Sequence, residues 1–151
     1  MTTILASAPL GLMVSDSSIS DGDRIWLGPK VTRWRGELIG LAGEVDAGDA
    51  FLKWYKQGKA GKLAKIGPCH VLVLSERGLE VYRDSTEPEK IRTGVDAVGT
   101  GAKAAMAVFE SQGWTDPQRA VRIVCNHDAG SRRPVRTYRL RKQNERATPV
   151  R

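Results

Sequence analysis

Residues 2–17 read TTILASAPLGLMVSDS, and the fold turns on how this stretch divides. Two apolar blocks, Ile4–Ala6 and Leu12–Val14, flank Ala8-Pro9-Leu10-Gly11, a break made of turn residues. A strand with one wet face alternates apolar and polar side chains, whereas a short unbroken apolar run belongs to a strand covered on both faces. The stretch therefore predicts an antiparallel hairpin buried inside a layered molecule. Leu38–Ala42 and Val71–Leu74 repeat the pattern, and the latter is followed by Ser75-Glu76-Arg77-Gly78 and Leu79–Arg83, a second hairpin.

Three segments have helical spacing. Ala47, Ala50, Phe51, Trp54 and Tyr55 form one apolar stripe ending near Gly58. An alanine-rich segment runs from about Gly101 to Ser111. A third opens with Thr115-Asp116-Pro117, a capping residue followed by proline, and carries Ala120, Val121, Ile123 and Val124. Val135–Leu140 alternates as a half-exposed strand does. Gln57–Pro68, close to Lys56 and containing Lys59, Lys62 and Lys65 among three glycines, reads as a solvated connection.

The chain has 151 residues, enough for one domain with its own core, and 24 basic against 17 acidic side chains. Residues 132–151 hold eight of the basic residues and one acid, Glu145, so the rest is balanced. An excess confined to one end predicts a charged terminus and not a nucleic-acid-binding body, which needs positive charge spread over a docking face. No apolar run reaches transmembrane length, and Ala6-Ser7-Ala8 comes too early for a secretory cleavage site. Two cysteines, Cys69 and Cys125, make no disulfide framework and read as reduced thiols of a soluble cytoplasmic protein.

Chemistry is concentrated at the start. Removal of Met1 before the small Thr2 gives one residue both a hydroxyl and a free α-amine, which with a pKa of about 7.7 to 8.0 can take the hydroxyl proton near neutral pH. Two other patterns carry less. Gly99-Thr100-Gly101-Ala102-Lys103-Ala104 fits the G-x-G-x-x-A dinucleotide fingerprint, but that motif belongs in a βαβ unit and here a second helix follows directly. Cys69-His70 and Cys125-x-His127 make no four-ligand zinc set, because neighbours on a strand point to opposite faces. Neither metal nor cofactor is expected.

Thr2-Thr3-Ile4, Val14-Ser15-Asp16-Ser17, Lys30-Val31, Gly40-Leu41-Ala42-Gly43, Gly99-Thr100-Gly101 and Asp128-Ala129-Gly130-Ser131 together resemble, in order and approximate spacing, the proteasome β-subunit and HslV family of N-terminal-nucleophile threonine peptidases. The resemblance covers about residues 2–141 and leaves 142–151 as a polar basic tail. It implies an α+β fold, a four-layer αββα sandwich with a reduced helical layer. It implies Thr2 as nucleophile, Lys30 as the cation favouring loss of the Thr2 hydroxyl proton, and Asp16 holding Lys30. Gly43 would supply an oxyanion N–H, and Asp128 and Ser131 would orient the N-terminal amine. Thr100 stands where the family usually has serine. Ile19, Leu41 and Val45 would wall the first substrate pocket.

The resemblance further implies cleavage of unfolded polypeptides inside a self-compartmentalised homo-oligomeric ring, a hexamer or heptamer, single or stacked, with an ATP-dependent unfoldase as a candidate partner and no membrane or nucleic acid. Two departures stand out. The family's second helix has no room in Gln57–Pro68, and the first hairpin is clipped. Two rival readings are a catalytically silent ring or scaffold subunit, which would keep Met1, and a basic nucleic-acid-binding adaptor using the arginines at 132–141.

Overall fold

Alternate residues of the first hairpin feed two different cores, and that alternation sets the layering. The computed structural model describes residues 2–63, 67–83 and 85–141. In chain order its elements are β1 (Ile4–Ser7), β2 (Leu12–Ser15), β3 (Ser18–Asp21), β4 (Arg24–Leu27), β5 (Val31–Trp34), β6 (Glu37–Gly43), α1 (Val45–Lys56), β7 (Cys69–Ser75), β8 (Gly78–Arg83), β9 (Glu89–Ile91), β10 (Val95–Val98), α2 (Ala102–Ser111), α3 (Pro117–His127) and β11 (Arg136–Arg139). One sheet has the order β10-β1-β2-β11 and the other β5-β6-β7-β8-β9, while β3 and β4 form a separate ribbon. All pairings are antiparallel.

Ile4, Ala6 and Met13 turn inward to meet Leu38, Ala42, Leu72, Leu74, Leu79 and Val81 of the facing sheet. Leu5 and Val14 turn outward onto Ala105 and Phe109 of α2 and Ala120, Val121 and Val124 of α3. The other sheet sends Ile39, Val71, Val73 and Tyr82 outward against Phe51 of α1. The result is the expected αββα sandwich, with two helices on one outer layer and one on the other. The two sheets approach closely at Gly40, where a Cβ would stand 2.9 Å from Met13 Sδ and 3.1 Å from Ile4 Cγ2.

The expected helices form, and the start of α3 has a local cause. The Asp116 carboxylate accepts from Arg119 N at 2.9 Å with Pro117 in the first turn of α3. The structure adds elements that the apolar pattern did not announce. β9 and β10 are short and carry Glu89, Lys90 and Asp96 among their seven residues, so they lack the unbroken apolar run of β1 or β7. The ribbon β3–β4 is exposed from Ser20 to Leu27 and has no buried stripe to read. Between α1 and β7 the described residues contain no second helix. Among the described residues no helix is long and apolar enough to cross a membrane. Met1, Lys65 and the tail 142–151 lie outside the described residues.

Candidate active site

The ladder between β1 and β2 continues one step past its last strand pair. Asp16 N donates to Thr3 O at 3.1 Å, and Thr3 N donates to Asp16 Oδ1 at 2.9 Å. This reciprocal pair holds the aspartate against the start of the chain. Asp16 Oδ2 accepts from the backbone N–H groups of Ser18, at 3.0 Å, and Arg132, at 3.1 Å. The carboxylate is wholly buried, and three backbone N–H groups serve it before any side chain does. The clipped hairpin turn therefore leaves this arrangement intact.

Lys30 completes it. It stands immediately before β5, its carbonyl accepting from Leu41 N at 3.1 Å. Its Nζ donates to Asp16 Oδ1 at 2.7 Å and to Thr2 Oγ1 at 2.8 Å. The pair is buried, with 4% of the Lys30 side chain and none of Asp16 accessible. Burial pulls the Lys30 ammonium below the ordinary lysine range, and the Asp16 hydrogen bond and charge work against that pull. The result is a cation with its charge aimed at the Thr2 hydroxyl oxygen.

The glycines around Thr2 are there for close approach. A Cβ on Gly99, whose φ is +100°, would lie 1.9 Å from Thr2 O, and one on Gly101 would lie 2.0 Å from Thr3 Oγ1. Thr2 and Thr3 thus occupy the space over the glycine-rich turn that a phosphate would need in a dinucleotide site. Gly101 N donates to Thr2 O at 3.4 Å, and the Thr100 hydroxyl lies 3.5 Å from the same oxygen and 3.3 Å from Asp128 Oδ2. Ser131 Oγ donates to Asp128 Oδ2 at 2.5 Å, which leaves Thr3 Oγ1 to donate to Ser131 across 2.7 Å. Of the expected residues, Ser131 and Asp128 thus reach Thr3 and Thr100.

Thr2 opens on a cleft of about 230 Å³. Ile19, Leu41, Val45 and Gly43 all line it. Gly43 ends β6 at φ +133°, where a Cβ would lie 2.1 Å from Pro68 O, so both conformation and space require glycine. Sequence reading missed Trp26 and Leu52 on the cleft and Thr3 in the hydrogen-bonded chain. Val45, Gly48, Asp49 and Leu52 were findable from their i, i+3, i+4, i+7 spacing, a helix face distinct from the stripe that packs inward. Cys69 lies at the buried end of the cleft, and burial pushes its thiol, like that of Cys125, up to about 11. Both thiols are therefore protonated near neutral pH and are poor nucleophiles beside Thr2.

No protein-family model matches the chain, and neither does any curated protein. Solved structures do match. HslV from Trypanosoma brucei superposes with a TM-score of 0.73 at 17% identity, over 91% of this chain and 98% of that one. BPH from Thiobacillus denitrificans, solved in complex with epoxomicin, gives 0.69 at 14% identity, over 93% and 100%. BPH described without epoxomicin gives 0.67 at 13%, over 93% and 99%. Near-complete coverage of both chains makes the likeness one of whole folds. The fold is the one these structures share, an αββα sandwich.

Proposed function

We propose that this chain is a threonine-type endopeptidase in which Thr2, freed by removal of Met1, is the nucleophile. The observation that carries the reading is the buried line from Asp16 Oδ1 to Lys30 Nζ to Thr2 Oγ1, with links of 2.7 and 2.8 Å, facing a cleft that Ile19, Leu41 and Val45 line together with polar side chains. A buried ammonium beside a hydroxyl oxygen favours the alkoxide by its charge. The α-amine of Thr2 takes the hydroxyl proton, and Oγ1 attacks the scissile carbonyl carbon. The resulting oxyanion is stabilised by a backbone N–H at Gly43, a kind of interaction that contributes about 3 to 4 kcal/mol elsewhere. The protonated amine returns its proton to the leaving amine, and water hydrolyses the Thr2 ester. Thr100, Asp128 and Ser131 position the Thr2–Thr3 segment.

The substrates are unfolded polypeptides or peptides, held with an apolar side chain against Ile19, Leu41 and Val45. The working form is a homo-oligomeric ring, which the fold's resemblance to HslV supports. Intact mass tests the first requirement: the purified protein should begin at Thr2, and a chain still carrying Met1 has no free Thr2 amine. Thr2→Ala should abolish peptide hydrolysis in a protein that still folds, its stability lowered by about 1.5 to 3 kcal/mol through loss of the hydrogen bond from Lys30 Nζ. Full activity in that variant would sink the mechanism.

A further inference from the structure

We propose that Trp26 is a specificity-determining residue: with Ile19 it forms a wall of the cleft that selects a bulky apolar side chain on the peptide. The inference rests on the peptidase reading and adds to it a residue that the resemblance did not assign. Ile19 on β3 and Trp26 on β4 are direct cross-strand partners, so both side chains stand on one face of the ribbon, and both line the cleft that contains Thr2. Their neighbours Ile25 and Leu27 alternate to the other face. Ile19 is seated tightly and Trp26 lies in ordinary contact beside it. A Cβ on Gly28 would lie 2.8 Å from Ile19 Cδ1 and 3.9 Å from Trp26 Cδ1 and Nε1, so both side chains rest close to the backbone at Gly28.

Trp26 is nonetheless 43% exposed, so much of the indole remains wet in the free protein. Leu41, Val45 and Leu52 line the same cleft. A side chain inserted among these groups removes apolar surface from water on several sides at once, and an aromatic or long aliphatic group removes most. Charge points the same way. Glu44 and Asp49 also line the cleft, and the cation there, Lys30, is bonded to Asp16. An acidic substrate side chain is therefore disfavoured, while the preference for a large neutral one over alanine comes from the apolar area it buries.

The test is a fluorogenic peptide panel in which each of three residues before the scissile bond is varied in turn. It is run on wild type, Trp26→Ala, Trp26→Phe and Gly28→Ala. At one position wild type should prefer phenylalanine over alanine by about tenfold or more in kcat/KM, the size of step that apolar pockets achieve. That ratio should collapse toward unity in Trp26→Ala, chiefly through KM, and be largely kept in Trp26→Phe. Gly28→Ala displaces the Ile19 tip and should lower the ratio at the same position. A second readout needs no turnover: in Thr2→Ala protein a peptide carrying phenylalanine should change the indole emission, and the change should vanish in Thr2→Ala/Trp26→Phe although Trp34, Trp54 and Trp114 remain. An unchanged preference in Trp26→Ala at every position, an emission change that survives loss of Trp26, or faster cleavage with glutamate than with phenylalanine overturns the proposal. Complete absence of wild-type hydrolysis overturns the peptidase reading alone, and the emission titration then decides the wall.

Discussion

Burial works against the charge on Lys30, and Asp16 works for it. Because burial wins, the ammonium loses its proton below the ordinary lysine value of 10.5. Hydrolysis should therefore have two limbs. kcat/KM should rise as the Thr2 amine deprotonates, at or below about pH 7.7 to 8.0, and fall again as Lys30 does. The linkage sign separates that fall from unfolding. Between the folded value and 10.5 the unfolded chain holds the proton that folded Lys30 has lost, so Lys30's contribution to stability rises with pH across the window in which activity is lost. Melting curves taken beside the rate profile check this, since a joint loss of both would assign the fall to unfolding. Asp16→Asn removes the charge holding the Lys30 value up and should move the alkaline limb to lower pH. Asp16→Ala leaves Lys30 buried without its partner and should cost about 3 to 5 kcal/mol by denaturant titration. Thr2, Asp16 and Lys30 were legible through a resemblance of motifs. Thr3 was not, because its role depends on Ser131, 128 positions away.

The single helix over the outer face of the β5–β9 sheet must do alone what two do in the family the sequence resembles, and it does so with aromatic rings. Phe51 is fully buried between Tyr82, with ring centroids 5.0 Å apart, and Trp54 and Tyr55 at 5.6 and 5.7 Å. Trp34 and Leu63 pack beside them. Truncating that centre, Phe51→Ala, should destabilise by about 3 to 5 kcal/mol, read by chemical denaturation. On the other layer, Asp116→Ala removes the only side-chain cap recorded for α1, α2 or α3 among the described residues and should cost about 0.5 to 2 kcal/mol. The stripe containing Phe51 and the Thr115-Asp116-Pro117 start were readable because helix periodicity and capping are local. β9 and β10 were not, because they are strands by pairing with β8 and β1 and not by composition.

At the scale of the molecule, the ribbon β3–β4 joins neither sheet among the described residues, and it leaves Ile25 and Leu27 more than half exposed. Apolar surface of that kind supports assembly with further copies of the chain. Light scattering at micromolar concentration should give a homo-oligomer of about six or seven copies, or twice that if rings stack. A stable monomer there would contradict the ring and favour the adaptor reading, which in turn requires steeply salt-dependent binding to nucleic acid.

The layered architecture was written in the sequence, because a strand covered on both faces needs an unbroken apolar run and β1, β2, β6 and β7 each carry one. The reduced outer layer was written there too, since Gln57–Pro68 is too short and too rich in lysine and glycine to supply a packed helix. What tertiary structure alone decided is who meets whom. Asp16 becomes a fourfold acceptor only when Arg132 N arrives from 116 residues away, and Gly99 and Gly101 find their purpose only when the chain start passes over them. Trp26 becomes part of a cleft only because the ribbon brings it over Ile19. Periodicity and turn chemistry act between near neighbours in sequence, whereas a site is assembled from groups that burial and sheet pairing bring together from across the chain.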